Sequence, residues 1–216
     1  MPPQVKMYQY QAGGTTEEID EWNKKVRGLI SSSLAEFLKD DYHFKVKFVQ
    51  PDSLEQGPYA SLWADTEVLY EAVAANAYTH TLGHEKLPAK LADFDYTLGT
   101  DVRPLAKALD TDAFLFVYGY DYVSTKGRIA VQTFNTMAAL ALSAALGGGV
   151  IYIPQHAPSF LSMGLVDGKT GDLLWFKTIP PDKGENFIKP KKITGIMQWM
   201  VKDLNPETGA RPAQAR

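Results

Sequence analysis

Between Arg128 and Asp167 the chain carries no Asp, Glu, Lys or Arg, so Ile129 to Val166 is a run of 38 residues without a formal charge. Charged residues make up 22% of the sequence, and a window of this length would ordinarily hold about eight of them. Such a stretch has to be hidden from water by the protein's own core, by another subunit or by lipid. It begins with a block of helical character, residues 137 to 146, built from Met137, Leu140, Leu142 and small residues such as Ala138, Ala141 and Ala145. Small side chains of this kind let a second helix approach closely. Gly147 to Gly149 then end the helical character, and a β-type cluster follows at Val150, Ile151, Tyr152 and Ile153. The unbroken apolar part, Met137 to Ile153, is 17 residues long, at the lower limit of the roughly 17–25 needed to span a bilayer as a helix.

The rest of the chain has ordinary globular character. Its 216 residues, 45% of them hydrophobic, suffice for a substantial core in one large or two small domains. A net charge of −3 without a dense Lys/Arg tract argues against nucleic acid as the partner, because phosphate neutralisation needs clustered cations. The absence of cysteine excludes disulfides, zinc–thiolate sites and thiol catalysis. The opening residues lack the apolar core of a secretory signal. The chain is then either cytoplasmic or the mature part of an exported protein whose signal, with any lipid-bearing cysteine, has been removed.

Read in order, residues 1–14 form an extended arm with a strand around Val5 to Tyr10, and 15–204 form a single α/β domain. Residues 205–216 form a mobile tail. Thr15 and Glu18 have the spacing of a capping box ahead of a long amphipathic helix with Ile19, Trp22, Val26, Leu29, Ile30 and Phe37 on one stripe. Alternation at Phe44, Val46 and Phe48 predicts a half-buried strand ended by Pro51. Residues 50–60 read as a loop, about 65–78 as a second helix, and 79–99 as a long surface connection. Thr100 or Asp101 is expected to cap a short helix with Pro104 in its first turn.

The strongest strand pattern is Ala113 to Val123, with aromatics at every even position (Phe114, Phe116, Tyr118, Tyr120, Tyr122) and mostly aliphatics between them. A strand apolar on both sides belongs in the middle of a sheet covered on both faces. The three tyrosines at its far end suit a wet interface or a ligand, each ring having an apolar body and a polar tip. A strand from Phe160, a tight turn at residues 167–171 and a returning strand to Ile179 make a hairpin, and a last helix covers about 190–204. The fold class implied is α/β, a mixed sheet with helices packed on its faces.

Two stretches carry a resemblance. Residues 98–119 give a short helix, an acidic turn (Asp110-Thr111-Asp112) and a strand ending in Gly119; residues 166–175 read Val-Asp-Gly-Lys-Thr-Gly-Asp-Leu-Leu-Trp. Together they resemble a bacterial envelope group that includes the curli secretion-channel lipoproteins, the penicillin-binding-protein activator lipoproteins and the amino-terminal domain of TolB. The resemblance implies a periplasmic, often lipid-anchored α/β domain without enzymatic activity. Such a domain works by binding or oligomerising in envelope assembly.

No reactive constellation stands beside this. His80 and His84 lie at i, i+4, a spacing able to place two imidazoles on one metal if helical. Gly83 between them and the lack of a third ligand favour a solvated loop. Gly168-Lys169-Thr170 mimics the end of a phosphate loop, but Met163 stands where the first glycine is required and a strand follows. No Gly-x-Ser-x-Gly elbow occurs. The expectation is a non-enzymatic protein with no cofactor. It acts on itself or on another envelope protein, with membrane-surface contact as a further setting, in the periplasm at the outer membrane if an export signal was removed and otherwise in the cytoplasm. The expected contact surface is Met137, Leu140, Leu142, Val150, Ile151 and Tyr152 with Tyr118, Tyr120 and Tyr122. The competing expectation is a small-molecule-binding or hydrolytic protein with a pocket near residues 79–99.

Overall fold

The computed structural model describes residues 1–11, 15–40, 44–82, 94–124, 159–179 and 186–204. Among these residues five strands form one mixed sheet: β1 (Gln4–Tyr10), β2 (Thr16–Glu18), β3 (Ala113–Ser124), β4 (Phe160–Asp167) and β5 (Leu173–Ile179). Their spatial order is β2-β1-β3-β4-β5. β1 and β3 run parallel and the other neighbours antiparallel.

Among the described residues the helices are α1 (Asp20–Asp40), α2 (Pro51–Glu55), α3 (Ala60–Leu82), α4 (Arg103–Leu109) and α5 (Pro190–Val201). One apolar cluster joins α1 and α5 to Val5, Met7, Val117, Leu161 and Met163. A second joins α2, α3 and α4 to Phe114, Phe116, Val166 and Phe176. Successive strand residues point to opposite faces, so β3 feeds Phe114 and Phe116 to one layer and Val117 to the other. β3 is the central strand of an α/β sandwich, as its two-sided apolar pattern requires.

The stripe of α1 is the expected one only in part: Val26 and Ile30 are buried as expected, Trp22, Leu29 and Phe37 flank the stripe half-buried, and Leu34 and Leu38 complete it. Asp20 and Glu21 in the first turn and Lys39 in the last suit the helix dipole. Its start differs. Thr16–Glu18 pairs with β1 because an open strand edge offers a whole ladder where a capping box offers two bonds. Glu18 instead accepts from Asn23 Nδ2 at 2.8 Å, while Asn23 Oδ1 accepts the Met7 N–H at 2.6 Å and ties β1 to α1.

Residues 44–48, expected as a strand, are in no sheet. Phe44 and Val46 pack against the α1/α5 cluster while Phe48 is exposed, so the alternation reports burial at two of its three positions, and among the described residues no strand runs alongside to complete a ladder. Pro51, read as a strand terminator, opens α2 inside the expected loop, where its missing N–H costs nothing. α3 extends beyond the predicted 65–78 at both ends and takes in His80. The 3₁₀ turn Thr100–Val102 leads into α4 with Pro104 at its start, but neither Thr100 nor Asp101 makes a side-chain capping bond.

The 167–171 turn is the expected one. Asp167 Oδ1 accepts the N–H groups of Lys169 and Thr170, each at 2.7 Å, and Gly171 is left-handed at φ 79°. This turn packs on the other stretch that carries the resemblance. Leu98 N donates to Gly171 O at 2.8 Å, Gly168 N to Asp112 O at 2.7 Å, and Arg103 Nε to Lys169 O.

Candidate functional site

The register of β1 against β3 sets Gln4 beside Tyr118, Lys6 beside Tyr120 and Tyr8 beside Tyr122. Because Val5 and Met7 point into the α1/α5 core, Tyr8 and Tyr10 emerge on the face of the sheet that carries the β3 tyrosines. The ring of Tyr8 stacks on Tyr122 with centroids 5.0 Å apart, and Tyr10 lies 5.1 Å from the same ring. Tyr120 meets Tyr122 edge-on at 5.7 Å and Phe160 at 5.7 Å, and Tyr78 at the end of α3 meets Phe160 edge-on at 5.2 Å. All six side chains are half-buried, giving an aromatic patch that is packed laterally.

Tyr118, also half-buried, has different partners. Its ring stacks on Tyr70 at 5.2 Å, and Tyr70 in turn stacks on Phe116 at 4.1 Å under α3. Its hydroxyl donates to Glu67 Oε1 at 3.1 Å. Burial, then the Glu67 charge and that hydrogen bond, push the Tyr118 phenol far above its ordinary range, and burial does the same to Tyr70. Tyr122 is raised by burial and by Tyr10, Tyr120 and Tyr8; Tyr78 is raised by burial and by Tyr120. These hydroxyls therefore stay neutral near pH 7 and offer hydrogen bonds rather than base or nucleophile chemistry.

Beneath the patch, on the other face of β3, Asp121 is buried at 1% exposure. Its Oδ1 accepts from Ser159 Oγ at 2.5 Å and from Tyr122 N at 2.9 Å; its Oδ2 accepts from Phe187 N at 2.6 Å. One carboxylate thus joins the end of β3, the residue before β4 and the lead-in to α5. A carboxylate in an otherwise apolar strand must be hydrogen-bonded to be tolerated, and that was the available signal for it. The alternation of Val5, Met7 with Tyr8, Tyr10 was a weaker signal for the β1 tyrosines, since nothing in the sequence says which strand they adjoin.

The uncharged run divides at Ser159. Its last eight residues, 159–166, are described, and Ser159, Leu161, Met163 and Val166 are fully buried in the protein's own core. Met137, Leu140, Leu142, Val150, Ile151 and Tyr152 lie outside the described residues. The anchor points of that part are fixed: the chain leaves β3 after Ser124 and rejoins at Ser159, where Tyr120 pairs with Phe160. The connection therefore departs and returns at the aromatic patch.

His80 is half-buried against Phe94 and Tyr96, with Nδ1 3.2 Å from the Tyr96 hydroxyl. His84 and residues 83–93, with most of the pocket expected near 79–99, lie outside the described residues. Among the described residues, no three His, Asp or Glu side chains group closely enough to hold a metal ion, and no helix is long and apolar enough to cross a membrane. Compared with known proteins, the chain matches no family model, no curated protein and no solved structure.

Proposed function

We propose that this protein is a non-enzymatic component of the bacterial envelope, exported and held at the outer membrane, that works by contact with itself or with another envelope protein. One observation carries the reading: a half-buried aromatic patch (Tyr8, Tyr10, Tyr120, Tyr122) stands at the root of a long connection that has no charged residue after Arg128. Half-exposed tyrosines combine a large apolar area with a polar tip at little entropic cost, the property that concentrates binding energy in interface aromatics. The residues of the connection that would bury against the partner are Met137, Leu140, Leu142, Val150, Ile151 and Tyr152. The alanine-rich composition of residues 138–145 favours close helix-to-helix approach.

Sedimentation velocity across a concentration series, with and without mild detergent, tests the proposal. The expected result is an assembly or a detergent-dependent species that Leu140→Glu and Leu142→Glu abolish while the thermal midpoint of the domain stays in place. A chain that stays monomeric at every concentration and ignores detergent would overturn contact with itself, and a fold that melts when Leu140 is charged would overturn the proposal outright.

A further inference from the structure

At the end of the sheet opposite the aromatic patch, a cavity of about 510 Å³ opens between the last turns of α1, the irregular segment 44–49 and the first half of β3. That volume lies within the roughly 300–1,000 Å³ typical of small-molecule sites. Most of its lining residues are apolar, among them Leu38, Phe44, Val46, Leu115, Leu165 and Leu204, with Lys45, Lys47, Thr111 and Asp112 adding a polar share. The charged side chains among its lining residues are Lys45, Lys47 and Asp112. The alternation of the 44–48 segment puts both lysines on the outer side, exposed, while Phe44 and Val46 turn inward. Lys47 Nζ donates to Leu109 O at 2.9 Å, which fixes that ammonium at the end of α4. Two cations against one carboxylate leave the mouth positive.

The geometry points to a site for a single-chain anionic amphiphile, a long-chain carboxylate whose tail fills the cavity and whose head group is met by Lys45 and Lys47. The apolar side chains of the lining suit a flexible hydrocarbon, and the two lysines on the outer side favour a negative head. The chain's own carboxy-terminal residues, which begin directly after Leu204, do not fit this description. Residues 205–216 contain no side chain of the Leu, Ile, Val or aromatic type, so they have nothing to place in an aliphatic cavity.

Titration calorimetry of the full chain with laurate, below its micellar concentration, reads the site. Dodecyltrimethylammonium serves as the same tail with the opposite head. Laurate is expected to bind one per chain, and the cationic amphiphile at least about tenfold more weakly, the scale of a charge-assisted contact. Lys45→Glu should remove most of that preference, and Val46→Trp, which fills the cavity from the surface segment, should abolish both with the circular dichroism spectrum unchanged. Equal affinity for the two head charges, or laurate binding that survives Val46→Trp, would overturn the assignment. Retention on phosphatidylglycerol vesicles without binding of free laurate would also overturn it, since the surface would then read a bilayer rather than a single chain.

Discussion

A Cβ placed on Gly171 would stand 1.9 Å from the carbonyl oxygen of Gly99. The two glycines are where the hairpin turn after β4 meets the lead-in to α4, and both have positive φ, 79° and 75°. Gly171→Ala therefore combines a left-handed backbone with a backbone clash. It is expected to lower the unfolding free energy by about 2 kcal/mol or more, read as a drop in the urea midpoint with an unchanged slope. A midpoint within error of the parent would mean that the two stretches do not pack as described.

Asp121 makes a second demand of this kind. Asp121→Ala leaves the Ser159 hydroxyl and the Phe187 N–H buried without this acceptor. Its expected cost is about 3 kcal/mol, the scale of losing hydrogen bonds to a buried charged group. Ser159→Ala removes a donor and leaves the carboxylate its two backbone bonds, so about 1 kcal/mol is expected there. Equilibrium denaturation of both variants checks the ranking; equal losses would contradict it.

Glu67 gives the fold a pH dependence. Burial raises its carboxyl above the ordinary 4.5; the Tyr118 hydrogen bond pulls it back and the charges of Glu71 and Glu55 push it up again. The folded chain then holds this proton at pH values where the unfolded chain has released it, so stability contributed by Glu67 is present below pH 4.5 and declines as pH rises through the raised value. Glu67→Gln keeps an acceptor for Tyr118 and removes the titration. The variant should lose less stability than the parent between pH 4.5 and 7, measured by denaturant melts across that range. Parallel pH profiles would show that the group is not held as described.

The strands at the two ends of the long connection are neighbours, since Tyr120 faces Phe160 across the ladder and β3 runs four residues further to Ser124. Replacing residues 125–158 with a short Asn/Gly turn should therefore leave a folded sheet, because closing a hairpin between neighbouring strands needs few residues. Far-UV circular dichroism and a cooperative melt would show this, and assembly in the sedimentation experiment should vanish. Loss of folding in the shortened chain would assign the connection to the core rather than to a contact.

Much of this framework was legible from periodicity. The 2-residue alternation of β3 placed it in a doubly covered sheet, and Phe114, Phe116 and Val117 do point to opposite cores. The α1 stripe and the 167–171 turn were legible for the same reason, since local spacing and turn chemistry decide them. What escaped depended on partners distant in the chain. Residues 44–48 alternate like a strand, yet pairing requires a free edge beside them. Tyr8 and Tyr10 join the patch only through the parallel register with β3. Of the three expected tyrosines, Tyr120 and Tyr122 sit in the patch, whereas Tyr118 is held under α3 by Glu67 and Tyr70, a distinction set by how far along the strand the helix lies.

That parallel register also governs how the chain is born. Gln4 pairs with Tyr118, 114 positions later, and at about 5–20 residues per second a ribosome takes several seconds or more to deliver the second strand after the first. Throughout that interval β2 can shield one side of β1 while the other waits uncovered. Nascent chains of this protein should be natural clients for holding factors, and slow refolding is the expected mark of so distant a pairing.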